Sequence, residues 1–153
     1  MDFKNIFTEE VSQEMIDRIR QLQADKQAKW GKMNVAQMLA HVNVAYELVF
    51  EPEKYPKPNF LMQKFIQLLA KPVVVGTKPY KRNTRTAPIF VISDTRDFEK
   101  EQNRLIRYIE ETQKLGEDHF DGKESHSFGK LSKNEWNTLF YKHLDHHLSQ
   151  FGV

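Results

Sequence analysis

The sequence predicts an all-α fold, a four-helix bundle with a short fifth helix. Three observations carry that expectation. Two capping boxes, Asn34 with Gln37 and Ser132 with Glu135, mark helix starts, because side chain and backbone amide satisfy one another there. Apolar residues recur at three- and four-residue spacing over four long stretches. Each stripe covers one face only, so the helices must bury against one another.

Thr8, followed by Glu9 and Glu10, opens the first helix with a hydroxyl cap and acids that suit the helix dipole. Val11, Met15, Ile19 and Leu22 form its stripe, Ile6 or Phe7 can staple its start, and its end is expected between Asp25 and Ala28. After the turn Trp30-Gly31-Lys32-Met33, a second helix runs from Asn34 to about Phe50. Val35, Met38, Leu39, Val42, Tyr46 and Val49 line its core side. His41 falls at the boundary of that stripe, near Gln37, Ala45 and Leu48. Pro52, Pro56 and Pro58 forbid continuation.

Asn59 to Ala70 reads as a short helix with Phe60, Leu61, Phe65, Leu68 and Leu69 apolar, ended by Pro72. Residues 71–93 have no helical period. Val73-Val74-Val75 and Ile89-Phe90-Val91-Ile92 suggest short extended pieces around a loop rich in breakers, a candidate lid over a site. Asp94 is the expected cap of the next helix, with Asp97 in its first turn. Phe98, Leu105, Tyr108, Ile109 and Thr112 mark its buried side and Gly116 its end. Glu117 to Leu131 is a polar, glycine-containing connector. The last helix starts at Lys133 and stops at Gly152. The long connection at about 71–93 permits a crossover between the second long helix and the 94–115 helix.

Composition narrows the function classes. The 153 residues suit a single domain, 1–153, and eleven Phe, five Tyr and two Trp can fill a core although hydrophobic content is only 39%. With no Cys, disulfides and thiolate metal sites are excluded. No apolar run is long enough to span a membrane, and the N-terminus lacks the basic start and apolar run of a signal peptide, so a cytoplasmic protein without a membrane partner is expected. Net charge is +2, but no acid occurs between Glu53 and Asp94, where eight Lys and Arg residues fall. That stretch carries +8 and the remainder −6. Such a field attracts anions, and a solvated basic loop is the plain alternative. Lys81, Arg82 and Arg85 are the candidate anion or substrate contacts. The basic stretch is short and matches no nucleic-acid motif, so nucleic acid is not an expected partner.

The chemistry concentrates in the last helix. At about 100° per residue, Trp136, Leu139, Phe140, His143 and His147 share one interior face, so the two imidazoles sit one turn apart. That spacing lets two neutral rings address one divalent ion; core packing is the plain alternative. His41, on a facing helix, is the strongest third ligand, ahead of His119 and His126 in the connector. Three His would leave coordination positions open, as a catalytic site requires. His146, at the edge of the face, is a supporting residue or a substitute ligand. Asp145 and Glu47 are the acids nearest in sequence, and both face away, so no general base is apparent.

Trp30-Gly31-Lys32-Met33 with Gln37-Met38-Leu39-Ala40-His41-Val42, Phe128-Gly129-Lys130-Leu131 with Trp136, and His143-Leu144-Asp145-His146-His147-Leu148-Ser149-Gln150-Phe151-Gly152 together resemble a bacterial family of unknown function, DUF1569, in the DinB/YfiT-like metalloenzyme superfamily. The resemblance spans nearly the whole chain. It implies a DinB-like four-helix bundle and a divalent metal, zinc or nickel foremost, on His41, His143 and His147. It also implies activities such as S-transfer or isomerisation with a low-molecular-weight thiol; a metal-bound water would instead serve hydrolysis of a small-molecule substrate. A non-catalytic metal- or ligand-binding module, stress-related or forming a homodimer, is the alternative.

Overall fold

The computed structural model describes residues 3–153 and is mostly helical. Its helices are α1 (Glu9–Arg20), α2 (Val35–Phe50), α3 (Phe60–Leu69), α4 (Lys71–Val74), α5 (Phe98–Leu115), α6 (Glu117–Phe120) and α7 (Lys133–Gln150). Single 3₁₀ turns occur at Pro52–Lys54 and Pro88–Phe90. A two-residue hairpin, β1 (Glu124–Ser125) and β2 (Gly129–Lys130), pairs Glu124 with Lys130 and Ser125 with Gly129. No helix among the described residues is long and apolar enough to cross a membrane.

The caps form where the residues ask for them. Thr8 accepts from the Val11 amide, and both capping boxes close, at Asn34/Gln37 and at Ser132/Glu135. Gly116 and Gly152 take positive φ, 75° and 77°, at the ends of α5 and α7, a conformation that a side chain resists.

α2 packs most extensively on α5 and also meets α7, while α1 touches both α5 and α7. One core results: Ile19 from α1, Met38 and Leu39 from α2, Leu105 and Ile109 from α5, Leu144 and Leu148 from α7 are all buried. Aromatic rings fill one part of it, with Phe140 stacked on Tyr46 at 4.8 Å and on Trp136 at 5.5 Å between ring centroids. α2 is buried on nearly all sides from Val35 to Glu47, so His41, placed at a stripe boundary by periodicity, is only 5% exposed.

Five local expectations are corrected. α1 stops at Arg20, before Asp25, and Leu22 still reaches the core through a turn in which its amide donates to Ile19. The stretch after Ala70 is helical, not extended: Pro72 sits in the first turn of α4, where its missing N–H costs nothing. Near Phe90 the chain makes a 3₁₀ turn in place of a strand. Asp97, not Asp94, caps α5 by accepting from Lys100. The 117–131 connector carries α6 and the hairpin, with Phe120 fully buried. A sixth concerns packing. The apolar side of α3 is not buried: Phe60, Leu61, Phe65, Leu68 and Leu69 are all more than half exposed.

Candidate metal centre

α2 and α7 bring three imidazoles to one point. His143 and His147 lie one turn apart on α7, as the i, i+4 spacing requires. His41 arrives from α2: its Nε2 is 3.0 Å from Nε2 of His143, and its ring centroid is 4.5 Å from that of His147. One donor atom from each residue lies within 4.8 Å of the others, a group that could hold a metal ion.

Hydrogen bonds to acceptor-only partners decide the tautomers of two rings. His41 Nδ1 lies 2.8 Å from the backbone oxygen of Phe90, which can only accept, so Nδ1 carries the proton and Nε2 keeps its lone pair. His147 Nδ1 lies 2.8 Å from Gln150 Oε1. The Gln150 amide nitrogen donates to the Trp30 carbonyl at 2.7 Å, which leaves Oε1 as the acceptor. His147 is therefore the donor at Nδ1, and its Nε2 is free. An imidazole held by a carbonyl at one nitrogen and free at the other is the usual arrangement of a metal-ligating histidine.

The donor set fits a divalent ion. Nitrogens about 2.05 Å from a tetrahedral centre stand about 3.3 Å apart. The 3.0 Å separation of His41 and His143 is close to that figure, and 4.8 Å bounds the whole group. Burial depresses all three basicities. His143 is pushed well below its ordinary value by desolvation and then by its neighbours His147, His41 and His146. His147 falls to about 3, chiefly by desolvation. His41 is lowered by desolvation although the Phe90 carbonyl opposes this. Three neutral rings crowded together, with little tendency to take up protons, suit a cation.

The 71–93 segment roofs this group. Tyr80 presents its ring edge-on to His143 at 6.3 Å and to His146 at 5.6 Å, and Phe90 stands perpendicular to His143 at 5.8 Å. Lys142, next to His143, holds the segment down: its ammonium donates to the carbonyls of Val73 and Gly76 at 2.6 Å and of Lys78 at 3.1 Å. It also lies 4.5 Å from the Tyr80 ring.

The remaining candidates separate. His146 is outside the three-His group and packs against Trp30 at 5.8 Å and Tyr80. The Arg82 guanidinium stacks 4.2 Å above the Trp30 ring; burial lowers the basicity of His146 and this nearby cation adds to the effect, against the opposing charge of Asp145. Lys81 and Arg85 are exposed, and among the described residues neither side chain has an ion-pair partner. His119 packs on Phe120, and His126 bonds Ser127, both away from the group. Glu47 is committed to Arg104 and Tyr55, and Asp145 to Arg18 at 2.8 Å, so neither turns toward the imidazoles. Periodicity had no means of finding Phe90 and Trp30, which act through backbone oxygens. Gln150, at i+3 from His147, was within reach of the same spacing argument. Lys142 was hidden because a lysine beside an apolar face ordinarily points to water.

A family model described as "Protein of unknown function (DUF1569)" matches residues 6–152. No curated protein and no solved structure matches the chain.

Proposed function

We propose, from the premise that the chain belongs to the DUF1569 family, that it is a divalent-metal-dependent protein whose ion is held by His41, His143 and His147. The observation that carries this reading is the orientation of the donors. Two of the three rings have Nδ1 committed to a carbonyl oxygen, which turns Nε2 lone pairs toward the third ring. Neutral His41 and His143 can share a proton between their Nε2 atoms at 3.0 Å, but that bond leaves His147 Nε2 without a partner, and a cation would satisfy all three nitrogens at once. Zinc or nickel suits an all-imidazole set. The packing of α1, α2, α5 and α7 on one core supports a DinB-like four-helix bundle in the DinB/YfiT-like superfamily, and a single domain.

An ion there would supply Lewis acidity, lowering the pKa of a water or thiol at its open face. The chain's own residues do the rest. The Phe90 carbonyl and Gln150 orient the ligands, and Tyr80 and Phe90 shield them from water. Arg82, steadied on Trp30, is the cation best placed to receive the negative group of a small-molecule substrate or of a low-molecular-weight thiol; Lys81 and Arg85 would contribute only a diffuse field. The reaction class is S-transfer or hydrolysis, in a cytoplasmic setting.

Metal analysis of protein prepared without a polyhistidine tag tests the centre. About one equivalent of zinc or nickel is expected. His41→Ala, His143→Ala or His147→Ala should each weaken binding by at least about a hundredfold, and His146→Ala should not. Stoichiometric binding that survives all three substitutions would sink the assignment. One observation favours a non-catalytic metal- or ligand-binding module: both neighbouring carboxylates are tied up in ion pairs, which leaves no evident base. Metal-dependent turnover of a thiol with an electrophile decides between the two.

A further inference from the structure

α3 is mounted with a mixed stripe, two glutamines with Ile66 and Ala70, toward the protein. Gln63, Ile66, Gln67 and Ala70 recur at helical spacing and are its only part-buried positions. The Gln67 amide lies over Gly129, where a Cβ would stand 3.0 Å from its nitrogen. The opposite side carries Leu61, Phe65 and Leu68 at i, i+4 and i+7, flanked by Met62 and Leu69, with exposures from 50% to 78%. Ordinary surface helices do the reverse. Soluble monomers seldom present a contiguous apolar patch above a few hundred Å².

We propose that this face is where a second copy of the chain docks, α3 against α3 across a twofold axis. Two observations identify the occupant. The face is uncharged: the one ionic residue of α3 is Lys64, at the edge, with its ammonium 5.6 Å from the Phe60 ring centroid. Of the cations flanking α3, Lys71 is paired with Glu135 at 3.0 Å, and Lys57 stands in the proline-rich loop ahead of the helix and off its apolar face. A helix lying on an anionic lipid surface would need cations along its polar side, and here the side opposite the apolar face is Gln63, Ile66, Gln67 and Ala70, part-buried and without a cation. The face is also of a suitable size. Ten residues make a helix about 15 Å long, and five or six large apolar side chains supply much of the roughly 800 Å² that one partner contributes to a standard interface. Across a twofold axis the same patch meets itself, so apolar meets apolar and the lysines remain at the rim. This inference is independent of the metal centre.

Sedimentation of the full chain should give twice the 18.1 kDa chain mass at micromolar concentration. Because the cations at the rim repel across the axis, the dimer should be no weaker in molar salt than in dilute buffer. Leu61→Glu with Leu68→Glu should raise the dissociation constant at least about tenfold while leaving far-UV dichroism and metal content unchanged. The chain has no cysteine, so Phe65→Cys, near the middle of α3, should cross-link to its own copy under mild oxidation. A monomer at every concentration, or a dimer that withstands the double substitution, would overturn the proposal. So would a wild-type chain that stays monomeric but floats with phosphatidylcholine–phosphatidylglycerol vesicles and is released by salt; that result would assign the face to lipid.

Discussion

At the scale of single residues, His41, His143 and His147 link structure to pH. An imidazole whose basicity is depressed in the folded chain binds fewer protons than it does unfolded, where its value is near 6.5. The stability it contributes is therefore complete above about pH 6.5 and is lost as pH falls toward the folded value, about 3 for His147. Urea unfolding in the presence of a chelator should lose up to about 1.4 kcal/mol per pH unit for each of the three rings below pH 6. His147→Leu should flatten that slope. A pH-independent midpoint between 7 and 5 would mean that the rings are already open to water. Saturating zinc should move the whole transition upward, since an ion that binds only the folded chain stabilises it by mass action.

At the scale of elements, Lys142 joins α7 to the segment that roofs the centre. Burial brings its ammonium down to about 8, yet three carbonyl oxygens from residues 73–78 accept its protons. Lys142→Met keeps the length and apolar stem but leaves those carbonyls without their donor. A loss of about 2–4 kcal/mol is expected. Amide exchange should quicken selectively over residues 71–93, while α2 and α5 keep their protection. Uniform acceleration would show instead that the lysine serves the whole fold. The caps belong to this scale as well. Asn34→Ala removes one side of a closed capping box at the start of the helix that carries His41, with an expected cost of about 0.5–2 kcal/mol read from the urea midpoint.

At the scale of the whole molecule, the seam between α2 and α5 is closed by charge. Arg104 bridges Glu47, buried on α2, and Glu101, buried on its own helix, the latter at 2.9 Å. Tyr55 adds a hydrogen bond to Glu47, and Asn43 donates to Glu101 at 2.8 Å. Arg104→Met leaves two buried carboxylates with only Lys54 and Arg96, each 3.7 Å away, as counter-ions, which should cost up to about 3–5 kcal/mol. At this chain length that loss lowers the melting temperature by on the order of 10 °C. Replacing Glu47 and Glu101 by Gln in the same chain should restore part of it; no recovery would place the role of Arg104 in packing rather than charge.

What could be read from residues alone was local and periodic. Both capping boxes, the glycine stops, the core faces of the four long helices and the His143/His147 pair all follow from short-range hydrogen bonding and 3.6-residue spacing, which do not depend on the rest of the chain. The convergence of His41 on that pair was an expectation about two helices 102 residues apart, and only their packing gives the 3.0 Å contact. Residues 71–93 resisted local analysis because the partners that shape them are distant. Lys142 gathers three of their carbonyls, and His41 takes a fourth, at Phe90. α3 marks the limit most plainly. Its residues specify a helix, but which side faces the protein was decided when Gln63, Ile66 and Gln67 packed part-buried against it and left the leucines outside. Periodicity says which side chains travel together; only the assembled molecule says what they meet.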